Sequence, residues 1–110
     1  MPALADENDE NKLDITVTVK LFAFFREAAK HSKIEFKLKE GTDIFQLLNV
    51  LCKSYNLKDQ IFDEKYELKA WIKIMKNGRN IDFLDGLETK LDAGDEIAVF
   101  PPAAGGSDNL

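Results

Sequence analysis

The residue types that most often carry catalysis are scarce in this 110-residue chain. His31 is the only histidine and Cys52 the only cysteine. Without a Cys-x-x-Cys or histidine-rich spacing, a conventional zinc site could not be made except with carboxylates. Carboxylates are plentiful, but they fall in turns and on polar faces, with no pair in an apolar setting that would raise a pKa. The stretch with chemical character is Phe100-Pro101-Pro102-Ala103-Ala104-Gly105-Gly106. Its two prolines favour an extended path. The small residues and glycines after them make a slender arm, suited to a narrow channel where any Cβ would meet the walls. The bland alternative is a loose tail, and a Gly-Gly pair alone would not decide against it.

Hydrophobic periodicity shows what must hold this arm. Ile15, Val17, Val19 and Leu21 alternate with Thr16, Thr18, Lys20 and Phe22, the period of a half-buried strand beginning near Asp14. Phe25 to Ala29 offers one helical turn. Ile34, Phe36 and Leu38 give a second strand, which Gly41 breaks. Thr42 or Asp43 can cap a helix that carries Ile44, Leu47, Leu48, Leu51 and Tyr55 at helical spacing and ends near Asn56. Residues 58–69 read as a short helix or a packed loop. Trp71 to Met75 is a third strand, Asn77-Gly78 a two-residue type I′ turn, and Arg79 to Ile81 a short fourth strand. Turns at Asp85-Gly86 and Ala93-Gly94-Asp95 enclose Leu87 and Leu91 as core anchors. Glu96 to Phe100 is the last strand, ended by Pro101-Pro102 because proline gives no N–H to a ladder. Two strands, a helix across the sheet and then further strands is the β-grasp order: an α+β fold with a mixed four- to five-stranded sheet on one main helix. The first and last strands are expected to pair in its middle. Residues 1–13 read as a disordered acidic extension, 14–101 as the domain and 102–110 as a flexible tail.

Strand parity also picks out a surface. If Ile15, Val17, Val19, Leu21, Ile97 and Val99 face the helix, then Phe22, Phe100, Trp71 and Met75 fall on the open side of the sheet. Large apolar groups there mark a partner surface, unless loops or a register shift return them to the core. The net charge of −5 with scattered lysines argues against nucleic acid. No apolar run is long enough for a membrane span, and residues 1–11 do not form a secretory signal. With a single cysteine, the expected location is cytoplasmic. Cys52 reads as a small core residue, a persulfide role being the minor alternative, and His31 as a solvated loop residue.

The run Asp95-Glu96-Ile97-Ala98-Val99-Phe100-Pro101-Pro102-Ala103-Ala104-Gly105-Gly106 resembles the C-terminal signature of the sulfur-carrier branch of ubiquitin-like proteins, above all the small subunit of molybdopterin synthase. Val19-Lys20-Leu21-Phe22-Ala23 leading into Arg26-Glu27, and the Asn77-Gly78 turn, extend the resemblance over residues 14–106. The resemblance implies activation by a ubiquitin-activating-type adenylyltransferase. That enzyme uses ATP to adenylate the Gly106 carboxyl, and sulfur then replaces the adenylate to give a thiocarboxylate. It further implies delivery to a molybdopterin synthase large subunit, which inserts sulfur into a pterin precursor. On this reading Gly106 is the reacting residue and Gly105 provides clearance. Phe22, Phe100, Pro101, Pro102, Ala103 and Ala104 face the partner, and the chain binds no cofactor or metal of its own. One departure bears on the chemistry. Ser107-Asp108-Asn109-Leu110 follow Gly106, so a processing peptidase must free its carboxyl first. A ubiquitin-like modifier joined to lysines through Gly106, and a β-grasp binding module without terminal chemistry, are the alternatives.

Overall fold

β-branched and aliphatic residues at every second position make the first strand, β1 (Asp14–Leu21), whose burial alternates along its length. The computed structural model describes residues 13–101; the expectations for residues 1–12 and 102–110 lie outside them. Leu13 is already tied in, since its carbonyl accepts the Glu40 N–H at 2.9 Å. β2 (Lys33–Lys39) runs antiparallel to β1 with Val17 opposite Phe36.

Between them lies α1 (Ala23–Ala29), longer than the single turn expected. Phe25 and Ala29, four residues apart, are both buried, so the core extends the turn into a helix. The chain enters α1 through Ala23 at φ 53° and leaves at Lys30 at φ 64°.

The main helix, α2 (Ile44–Tyr55), starts at Asp43 and not at Thr42. Asp43 Oδ1 accepts the Gln46 N–H at 2.9 Å, while Gln46 Oε1 accepts the Asp43 N–H at 3.0 Å, a reciprocal capping box. The Thr42 hydroxyl instead donates to the Lys39 carbonyl. Ile44, Leu47, Leu48, Leu51 and Cys52 face the core, and Asn56 in the left-handed region ends the helix. Residues 58–69 combine both expected forms: α3 (Lys58–Ile61), then a loop closed by a Phe62–Leu68 bridge. Phe45, Phe62 and Tyr66 pack their rings together over that loop, and the Tyr66 hydroxyl bonds Asn49.

β3 (Lys73–Lys76) starts two residues later than the pattern predicts. The Ile72 N–H bonds the Lys69 carbonyl instead of a ladder partner. Trp71 therefore lies in a turn outside the sheet, 64% exposed. Asn77 and Gly78, at φ 51° and 85°, make the two-residue turn into β4 (Arg79–Asn80). Ile81 leaves that strand for a 3-10 turn, Ile81–Phe83, and a second 3-10 turn spans Gly86–Glu88. Leu91 is a core anchor, whereas Leu87 packs on the core half-buried.

β5 (Glu96–Phe100) completes a five-stranded sheet in the order β2-β1-β5-β3-β4. β1 and β5 pair in parallel, β5 and β3 antiparallel. The last strand is thus clamped on both sides, and one core joins Val17, Val19, Ile97 and Val99 of the sheet to Leu47, Leu48 and Leu51 of α2. Among the described residues no helix is long and apolar enough to cross a membrane.

Candidate functional site: the root of the C-terminal arm

The residues expected to form the arm follow β5 in sequence, so the site is built around the last residues of that strand. Val99 points into the core between Leu21 of β1 and Ile74 of β3. One residue on, Phe100 turns to the open face, and Phe22, just past the end of β1, meets it there. The two rings stack with centroids 4.4 Å apart and planes 11° from parallel. Both are half-buried, so each covers the other while part of each stays in water. Ala98 and Met75 lie on the same face beneath them, also half-buried. Pro101, half-buried, continues from Phe100. Of the residues expected to meet a partner, Phe22, Phe100 and Pro101 are brought together here. Pro102, Ala103, Ala104, Gly105 and Gly106 lie outside the described residues. Met75 keeps its expected place on this face, and Trp71 does not, because it leaves the ladder before β3 begins.

The other end of β5 is held by a polar clasp that sequence reasoning missed. Asp95 is buried although it sits in a turn. Its carboxylate accepts the Asn77 side-chain amide at 2.9 Å and the Asp92 N–H at 2.8 Å, and Lys76 Nζ lies 3.3 Å away. Asn77 also accepts the Glu96 N–H on Oδ1 at 2.8 Å and donates its own N–H to the Glu96 carbonyl at 2.8 Å. Burial acts to raise the Asp95 pKa, but the Asp92 and Asn77 hydrogen bonds and the Lys76 charge outweigh it and hold the carboxyl below its ordinary value. The available signal was an Asp at the start of the last strand together with an Asn-Gly turn. Its meaning depends on a contact 18 residues apart in sequence.

Charge on the open face is distributed unevenly. Lys20 pairs with Glu96 at 3.1 Å and Lys39 with Asp14 at 2.8 Å. The hydrogen bond and charge of Lys39 lower the Asp14 pKa. Among the described residues no carboxylate lies within ion-pair distance of Lys33, Lys37 or Lys73.

Cys52 is buried on α2, and burial pushes its thiol up to about 11 against the opposing pull of Lys58. A neutral, enclosed thiol is a poor nucleophile, so the structure places Cys52 in the core role. His31 is exposed but not simply solvated, as its ring meets Tyr55 edge-on at 5.7 Å. Among the described residues no three metal-ligating side chains converge.

The ThiS family model matches residues 19–106, from the middle of β1 through both glycines. The chain belongs to the ThiS family. It is a ubiquitin-like β-grasp protein of the sulfur-carrier and modifier group. Small archaeal modifier protein 3 of Haloferax volcanii is 35% identical over 88 residues, 80% of this chain and 96% of that one. The solution structure of small archaeal modifier protein 1 from Methanosarcina acetivorans is 42% identical, with a TM-score of 0.72 over 86% of this chain and 99% of that one. A Pyrococcus furiosus protein provisionally designated molybdopterin converting factor, subunit 1, is 34% identical, with a TM-score of 0.66 over 80% and 98%. ThiS-family membership accounts for the β-grasp order.

Proposed function

We propose that this chain is a sulfur carrier resembling the small subunit of molybdopterin synthase, with the Gly106 carboxyl as its working group. Removal of residues 107–110 by a peptidase frees that carboxyl. A ubiquitin-activating-type enzyme then joins it to the AMP moiety of ATP with loss of pyrophosphate. A sulfide donor displaces AMP, leaving a thiocarboxylate. The arm from Pro101 to Gly106 carries the sulfur into the large subunit of the synthase in the cytoplasm, for molybdenum or tungsten cofactor assembly. Gly105 leaves the channel clear around the reacting end. ATP is used by the activating enzyme and is not bound by this chain.

The observation that carries this reading is the stacked Phe22–Phe100 pair on the open side of the central strand, one residue before the arm. It supplies an apolar anchor at the point where a partner must grip the domain while receiving the arm. The family match ending at Gly106 and the name of the Pyrococcus furiosus neighbour support the same reading. A second reading has its own support in the names of the two archaeal modifier proteins: the activated Gly106 is joined to lysines of other proteins.

The intact mass of the protein from its native cells tests both. A species ending at Gly106 with one oxygen exchanged for sulfur is the expected result. Isopeptide adducts of Gly106 without a thiocarboxylate form would favour the modifier. Only chains still carrying Ser107 to Leu110 would overturn both.

A further inference from the structure

The chain is acidic, yet the open face of its sheet is not. Strand pairing places Lys20, Lys33, Lys37, Lys39 and Lys73 on that face, against Asp14, Glu35 and Glu96. With a net charge of −5 for the whole chain, the excess of acid must lie elsewhere. Lys20, Lys33 and Lys73 lie at the end of the sheet that holds the aromatic pair. Lys73 is the ladder partner of Phe100, and the next row across the sheet runs Lys33, Lys20, Ala98, Met75. Lys33 and Lys20 are directly opposed in an antiparallel ladder, an arrangement of like charges that costs stability. Glu96 offsets Lys20 but lies in ion-pair range of no other described lysine, leaving Lys33 exposed and uncompensated at the rim. Folding alone gives no reason for a lysine there, since a glutamate would pair with Lys20.

We infer that Lys33 and Lys73 are the specificity-determining rim of this surface, and that they dock an acidic protein surface whose apolar hollow receives Phe22 and Phe100. The partner is the activating enzyme of the proposed carrier cycle, and the inference rests on that cycle. A protein surface fits better than nucleic acid. Asp14, Glu35 and Glu96 interrupt the lysines and would repel a continuous phosphate backbone, whereas separate carboxylates on a protein can be matched to separate lysines. Charge of this kind steers encounter and rejects wrong partners, while the desolvated rings hold the complex.

The test is a titration of the full chain with the ubiquitin-activating-type enzyme of the same organism, from about 0.05 to 0.5 M NaCl. Lys33→Glu and Lys73→Glu are each expected to weaken binding about tenfold at low salt and to flatten the salt dependence. Lys65→Glu, on the exposed loop beside α2, should do neither. Lys33→Glu should at the same time raise the melting temperature, because it turns a like-charge pair into an opposite one. Loss of affinity with a gain in stability separates docking from folding. Unchanged affinity and salt slope in both variants would overturn the inference, as would no binding at any salt, or tighter binding of a single-stranded oligonucleotide than of the enzyme. Loss of the salt dependence on deleting residues 1–12 would also overturn it, by making that acidic segment the occupant. The carrier cycle fails separately: if chains ending at Gly106 bind with the expected salt dependence but never accept AMP, the docking surface stands and the proposed chemistry does not.

Discussion

At the scale of single residues, Asp95 and Phe100 occupy opposite ends of one short strand and are expected to fail in opposite ways. Asp95 is held as a carboxylate by two hydrogen bonds and the Lys76 charge. Replacing it with alanine should cost about 2–3 kcal/mol in denaturant unfolding, since hydrogen bonds to a charged acceptor are lost and Lys76 keeps only the Lys90 carbonyl and the more distant Asp92. The pH dependence follows from the lowered pKa. The folded state binds its proton more weakly than the unfolded chain does, so Asp95 contributes its full stability above the ordinary aspartate pKa of about 4. That contribution is lost as pH falls through the lower folded-state value. Acid unfolding followed by circular dichroism should therefore show a stability difference between wild type and Asp95→Ala at pH 6 that narrows below about pH 4. Phe100→Ala should leave most of the fold standing, with a stability loss of about 0.5–1.5 kcal/mol for the ring pair. Partner binding should weaken by about 1.5–3 kcal/mol, measured by calorimetry. A stability loss well above that with unchanged binding would make Phe100 a core residue.

At the scale of elements, periodicity identified which segments are strands and helices, and turn chemistry identified where several of them end. β5 was legible residue for residue because alternation, a turn before it and prolines after it all agree. The Asn77-Gly78 turn was legible because both residues tolerate positive φ. The start of β3 was not, since Trp71 and Ile72 continue the alternation and only the Ile72 bond to Lys69 shows that the ladder has ended. α1 was underestimated because its anchors, Phe25 and Ala29, gain from burial that a local pattern does not register. Asp43→Ala should destabilise the protein by about 1–2 kcal/mol in urea, because the Gln46 N–H loses its side-chain acceptor in the capping box. Ala23 sits at φ 53° where β1 hands over to α1, immediately after Phe22. Ala23→Val should cost about 1–2 kcal/mol, as a β-branched side chain there crowds the backbone. If Ala23→Val melted with the wild type, that junction would have to relax to another conformation.

On the scale of the whole molecule, the proposed carrier cycle requires the domain to hold steady while residues beyond β5 react. Deleting residues 107–110 should leave the melting temperature within about 1 °C, since the core of the described residues runs from Ile15 to Val99 and is built without them. The same deletion should convert a chain that the activating enzyme binds but does not adenylate into one that drives ATP–pyrophosphate exchange. Exchange that is equally fast before and after deletion would remove the need for processing. By itself the sequence determined the β-grasp order, the alternating faces of β1 and β5, and the placing of two glycines at 105 and 106. These depend on local spacing and residue type, which the chain carries along its length. The tertiary structure alone decided that Phe22 stacks on Phe100 and that Asn77 and Lys76 close on Asp95. It also decided that lysines from β1, β2 and β3 share the end of the sheet that holds the aromatic pair. Each of these joins residues far apart in sequence, and strand pairing, not local pattern, sets which of them meet.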